Sequence, residues 1–229
     1  MRDVDPKEFW ENKILGWEDG RYKETTSGSI LERFADRSSE SLRFRQTAAL
    51  KLLSPFVSGK RLVEIGCGSG LLAEKFVAMG VKSYRGYDIA ENAIDRARAS
   101  AKVSGIDGPA TFETASVEAM KPLDVDIVFS LGLLDWLDDQ ALSRLFQVVG
   151  TADWLHAFSE KRISVAQYAH RLYVFLAYGH RTGGYVPRYH SFEQIKGLAQ
   201  EHQSNKMHVY RNPRLAFGAF ATSLPVDIR

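Results

Sequence analysis

The sequence predicts an α/β fold: a doubly wound, mostly parallel sheet with a C-terminal antiparallel hairpin and an N-terminal helical cap. Three observations predict it. Between residues 61 and 159, short apolar runs alternate with stretches of helical periodicity, the pattern of strands joined by helical crossovers. The first run opens into a glycine-rich turn, and two late apolar runs are separated by the turn residues Arg211-Asn212-Pro213-Arg214.

The elements follow in order. Phe9, Ile14, Leu15, Trp17 and Tyr22 stand among charges, and Ile30, Leu31, Phe34, Leu42 and Phe44 continue at near-helical spacing. A second apolar stripe, from Gln46 to Val57, ends at the turn Ser58-Gly59-Lys60. Residues 1–57 are therefore expected as a helical cap and 58–229 as the core. Strands are expected at RLVEIG, SYRGYDI, ATFETA, DIVFSLG and WLHAFS, with helices near Leu71 to Met79, Ala90 to Val103 and Asp138 to Val148. Such alternation calls for right-handed crossovers and helices on both faces of a parallel sheet. Residues 163–178 read as an apolar and aromatic helix within a lid over about 160–190. Ser191 reads as the N-cap of a helix running to Gln200, with Gln194 at the capping-box position. The runs KMHVY and LAFGAFATS complete the hairpin.

Composition narrows the function. Lys and Arg number 30 against 28 Asp and Glu, so no overall field calls for nucleic acid or an anionic surface, and a small-molecule partner is expected. A single cysteine forms no internal disulfide, and the charged start MRDVDPKEFW lacks the apolar run of a signal peptide, which predicts a cytoplasmic protein without a membrane span. The oligomeric state is left open.

The chemistry is concentrated in Val63-Glu64-Ile65-Gly66-Cys67-Gly68-Ser69-Gly70, an apolar strand running into a tight turn and then a helix. Glycines serve there because backbone must approach a ligand closely and adopt unusual dihedrals. Asp88 ends the second strand about twenty residues further on, where a carboxylate accepts both hydroxyls of a ribose. Together they indicate an adenosine-bearing ligand. The segment Gly68-Ser69-Gly70-Leu71-Leu72-Ala73 also fits the nicotinamide fingerprint G-x-G-x-x-A, but Glu64 and Gly66 precede it, and a carboxylate at Glu64 repels a pyrophosphate and suits a cationic ligand.

The pattern E-x-G-x-G-x-G formed by Glu64, Gly66, Gly68 and Gly70, with Asp88 beyond it, resembles the first motifs of class I S-adenosylmethionine-dependent methyltransferases, and the likeness extends over residues 46 to 222. The resemblance implies S-adenosylmethionine as cofactor, held by Glu64, Gly66, Cys67, Gly68, Gly70, Asp88 and Ile89. It places Ser116 and Val117 at the adenine, although related enzymes carry an acidic residue where Ser116 stands, and it puts Ser130 and Leu131 beside the transferable methyl. It also implies the last strand running antiparallel. Cys67 is read as a small space-filler.

The acceptor is narrowed by what is missing. Ser130-Leu131-Gly132-Leu133 stands where N-P-P-Y would mark amino-group methylation of adenine or glutamine, and the only cysteine lies in the glycine turn, which excludes a Pro-Cys nucleophile for cytosine C5. All six histidines fall after residue 155, in the region where the resemblance places the acceptor lid. His190, then His180, are the candidate general bases, with Tyr185, Arg188 and Tyr189 contacting the acceptor. Histidine spacing suggests no metal site. The expected activity is O-methylation of a small hydroxylated acceptor, such as a sugar or polysaccharide precursor. Transfer to nitrogen or carbon, a non-catalytic cofactor-binding subunit, and a nicotinamide oxidoreductase are the alternatives. Trp17 to Tyr22 are expected to fold over the cofactor, and Arg45 to reach its carboxylate.

Overall fold

The computed structural model describes residues 4–22, 30–162, 167–168, 185–202 and 206–226, with the side chains of 17, 20–22 and 30–39 outside that description. Two helices lead: α1 (Pro6–Tyr22) and α2 (Ile30–Leu53). The core follows as β1 (Arg61–Ile65), α3 (Ala73–Ala78), β2 (Ser83–Asp88), α4 (Glu91–Val103), β3 (Ala110–Thr114), β4 (Ile127–Leu131), α5 (Asp139–Val149) and β5 (Asp153–Ser159). It closes with α6 (Phe192–His202), β6 (His208–Tyr210) and β7 (Gly218–Thr222).

The seven strands form one sheet in the order β3-β2-β1-β4-β5-β7-β6. All pairs from β3 across to β5 are parallel, whereas β7 pairs antiparallel with both β5 and β6. The expected strands and terminal hairpin are thus present, and β7, buried at every residue, is inserted between β5 and β6. The order reverses between β1 and β4, which leaves a crevice at the carboxyl ends of those strands, the place where open α/β sheets bind ligands.

Alternation along each strand separates two apolar layers. Leu62, Phe129, Leu155 and Phe220 face α2, α3 and α4, while Val63, Val128, Trp154 and Phe158 face α5 and α6. The segment from Ile30 to Phe44 and the stripe expected from Gln46 lie on one continuous 24-residue helix, α2, which ends at Leu53 rather than at Val57. Its second half, with Ala48, Ala49, Leu52 and Leu53, shares its buried cluster with the sheet. At α6, Ser191 Oγ accepts from the Gln194 N–H at 3.1 Å, the expected cap, but the Gln194 side chain reaches Asp139 rather than back to Ser191. The helix expected over 163–178 lies outside the described residues apart from Gln167 and Tyr168. No described helix is long and apolar enough to cross a membrane.

Candidate functional site: a glycine turn under a leading helix

β1 delivers its carboxyl end to the crevice, and the chain turns there through Gly66, Gly68 and Gly70, at φ of +76°, +52° and +72°. Side chains strain in that left-handed region, so the turn needs glycine for its dihedrals alone. The three differ in what lies beside them. A Cβ at Gly70 would sit 2.7 Å from the Phe112 ring, and one at Gly66 would press on Leu133, so these two are filled by the domain's own packing. Gly68 is instead covered by Glu18 and Ile14 of α1.

Asp88 ends β2 against this turn. Its Oδ2 accepts from the Gly68 N–H at 2.8 Å and its Oδ1 from the Ala90 N–H at 3.0 Å, which joins the first two strand ends. Burial raises its carboxyl above the ordinary aspartate range, opposed by these backbone donors. Ile89 follows, half-buried, and Ala90 precedes α4 without a side-chain cap of its own.

Glu64 lies below the turn, on the α3 side of the sheet. Its Oε2 accepts from the Tyr84 hydroxyl, and burial raises its pKa to about 8. At neutral pH it is therefore mostly the uncharged acid, which corrects the expectation of an anionic side chain at this position. Cys67 is buried nearby, with Sγ 2.7 Å from where a Cβ on Gly86 would stand, and burial pushes its thiol up. It fills space beside an obligate glycine.

Sequence reasoning expected residues 17–22 to fold over the cofactor, but it did not single out Glu11, Ile14 or Glu18 of α1. Glu11, Ile14 and Glu18 lie at i, i+3 and i+7, hence on one helical face. Glu11 accepts from the N–H groups of Glu91 and Asn92 at 2.7 and 3.0 Å and so supplies the missing cap of α4. Ile14 packs on Ala90 and Ala93. Glu18, 6% exposed, accepts from the Ser69 N–H at 3.0 Å through Oε1. Two carboxylates at apolar positions of an amphipathic stripe were the available signal. The start of α1 is held by rings: Trp136 stands 4.8 Å from Trp10, 5.7 Å from Phe9 and 5.2 Å from Tyr185, centroid to centroid. Tyr185 completes the cluster 5.1 Å from Phe9 and donates to the Trp136 carbonyl.

Residues 62–152 match the family model described as a methyltransferase domain. The matched stretch takes in the glycine turn, Asp88 and β4, and there the chain is similar to methyltransferase domains. Among similar curated proteins, a ubiquinone biosynthesis O-methyltransferase of Neisseria meningitidis is 30% identical over 119 residues, 49% of this chain and 50% of that protein. The match thus spans between 33% and 50% of the length of the curated relatives. Magnesium protoporphyrin IX methyltransferase from Synechocystis PCC 6803, solved with bound S-adenosylhomocysteine, has the same fold at a TM-score of 0.70, with 15% identity over 94% of this chain and 97% of that one. An S-adenosylmethionine-dependent methyltransferase from Mesorhizobium loti aligns at a TM-score of 0.59 and 20% identity, over 78% and 97% of the two chains.

Around the glycine turn, the remaining expected residues are dispersed. Ser116, half-buried, and Val117, packed into the core, follow β3 beside the Asp88 strand end. Leu131 is half-buried at the end of β4. Ser130 is fully buried and bonds His156 Nδ1 at 2.9 Å on the α5 side of the sheet, so its side chain is committed to the core rather than to the crevice. His156 stacks on Trp154, and burial lowers its pKa to about 3.

Beyond β4, Asp135 accepts from the backbone and hydroxyl of Ser159 at 2.6 and 2.8 Å and faces Arg45 at 3.8 Å. Burial raises its carboxyl against the pull of Arg45. Arg45 thus lies at the β4 end, next to Gly132 and Gly218. His190, 2% exposed, bonds the Leu134 carbonyl through Nε2 at 2.8 Å, so in the neutral ring Nδ1 is the proton-accepting atom. Arg188 is exposed, its N–H bonded to the Asp135 carbonyl, and Tyr189 is half-buried. His180 and the side chains of Trp17, Arg21 and Tyr22 lie outside the described residues. Among the described residues, no group of three His, Cys, Asp or Glu side chains is placed to hold a metal ion.

Proposed function

We propose that the chain is an S-adenosylmethionine-dependent methyltransferase that methylates oxygen on a small hydroxylated acceptor. One observation carries this reading: the Asp88 carboxylate is buried against the Gly68 N–H at the carboxyl ends of β1 and β2, next to the point where strand order reverses. A nucleoside laid over Gly66 and Gly68 would present its ribose to Asp88, with Ile89, Ser116 and Val117 beside the base and Leu131 toward the other end. The chemistry of the donor set fits such a ligand, since Gly66 is only half-buried at the end of β1 and Asp88 retains lone pairs beyond its two backbone bonds.

When bound, the cofactor supplies an electrophilic methyl group on a sulfonium. The chain's own residues then align the acceptor, exclude water and take its proton. The aromatic cluster of Phe9, Trp10, Trp136 and Tyr185 gathers just beyond the carboxyl end of β4 and favours an acceptor with an apolar or aromatic body. His190 Nδ1 is the candidate proton acceptor, with Tyr185, Arg188 and Tyr189 as candidate acceptor contacts. Oxygen is favoured over nitrogen or carbon because the curated relatives are named O-methyltransferases.

A thermal shift followed by turnover tests this. S-adenosylhomocysteine is expected to raise the melting temperature and NADH to leave it unchanged, because a ligand specific for the folded state stabilises by mass action. With a panel of phenols, catechols and saccharides, one acceptor is expected to yield S-adenosylhomocysteine, and His190→Gln to lower that rate by about a hundredfold. Stabilisation by NADH and not by S-adenosylhomocysteine would overturn the reading.

A further inference from the structure

Burial normally requires a carboxylate to satisfy both oxygens, and Glu18 satisfies one. Its Oε1 takes the Ser69 N–H, while Oε2 is buried and unpaired among the described residues, as is the Ser69 hydroxyl, whose pull on the Glu18 carboxyl opposes that of burial. The side chain enters from α1 and lies directly on Gly68, the one glycine of the turn not filled by the domain's own packing. It is surrounded by acids: Asp88 raises its carboxyl further, after burial, and Glu64 lies below. Among the described residues Arg96 acts on it with positive charge, but it is engaged by Asp19 at 2.9 Å on the surface. A buried acceptor beside a second carboxyl is stabilised by a donor that also carries positive charge.

We infer that Glu18 is a cofactor-binding residue, whose carboxylate receives the α-ammonium of the cofactor's amino-acid arm and thereby makes α1 part of the binding site. The assignment rests on the cofactor reading above and deepens it. A neutral nucleoside lacking that arm occupies the Asp88 side without engaging Glu18. Binding of the charged ligand relieves the repulsion among the acids and fixes α1 over the crevice.

The test is isothermal titration of the full chain with S-adenosylhomocysteine and with 5′-methylthioadenosine, which retains the nucleoside and lacks the amino-acid arm. Glu18→Gln keeps the bond to Ser69 and removes the charge. It is expected to weaken S-adenosylhomocysteine about tenfold or more and to leave methylthioadenosine within about twofold. Glu11→Gln, which loosens the junction of α1 with α4 without touching the turn, is expected to affect both ligands alike. If Glu18→Gln also weakens both equally, its role is closure only and the assignment fails. Unchanged or tighter binding of S-adenosylhomocysteine also overturns it, the latter marking Glu18 as a group that blocks the crevice. A wild-type chain that binds neither ligand overturns this assignment and the cofactor reading together, whereas wild-type binding with any of the failures above overturns this assignment alone.

Discussion

Glu64 places an ionisable group under the glycine turn at a cost that depends on pH. Its folded pKa is about 8 against an ordinary value of 4.5, because burial disfavours the charge. Between those values the folded chain keeps a proton that the unfolded chain releases, so the group favours folding least above pH 8 and most below 4.5. Stability is expected to fall across that window by up to about 1.4 kcal/mol per pH unit from this group. Glu64→Gln still accepts from Tyr84 and does not titrate, so its melting temperature should change less between pH 5 and pH 8 than that of the wild type. Parallel melting curves in the two proteins would refute this. The E-x-G-x-G-x-G spacing makes Glu64 legible as a site position, but its charge state is set by Tyr84, twenty residues away, and by the depth of the sheet.

The leading helix is held to the domain by two attachments of different kind. Glu11 caps α4 by charge and hydrogen bonding, and Phe9 and Trp10 dock against Trp136 and Tyr185 through their rings. Edge-to-face and tilted ring pairs contribute about 0.5–1.5 kcal/mol each beyond the area they bury. Phe9→Ala removes contacts with three rings and is expected to speed amide hydrogen exchange across α1 by about tenfold while leaving β1, β4 and β5 protected. Uniform exchange changes over helix and sheet would show that α1 does not open separately. The apolar spacing of Phe9, Ile14 and Leu15 made α1 legible as a helix. Its partners were not legible, since Trp136 and Tyr185 come from the ends of β4 and of the late lid segment, brought together only by the sheet.

At the scale of the molecule, the sheet depends on its last strand. β7 bridges β5 to β6, with Phe220 and Ala221 fully buried on opposite faces. A chain truncated after Phe217 loses both ladders and packing in both apolar layers, and is expected to lack cooperative unfolding and to expose dye-binding apolar surface. A truncated chain with a native melting transition would mean that β5 forms a stable edge without β7.

Local patterning determined most of the architecture by itself: runs of period two and 3.6, glycines at a tight turn, and turn residues between the last strands are properties of neighbouring residues, and they specified strands, helices, hairpin and the turn with Asp88. Tertiary structure decided which groups face the crevice. It turned Ser130 into the core against His156, neutralised Glu64 by burial, pinned His190 Nε2 on Leu134, and brought Glu18 onto Gly68 from fifty residues earlier in the chain. Each depends on the side of a strand, on desolvation or on contact between distant segments, and these are properties of packed elements rather than of adjacent residues.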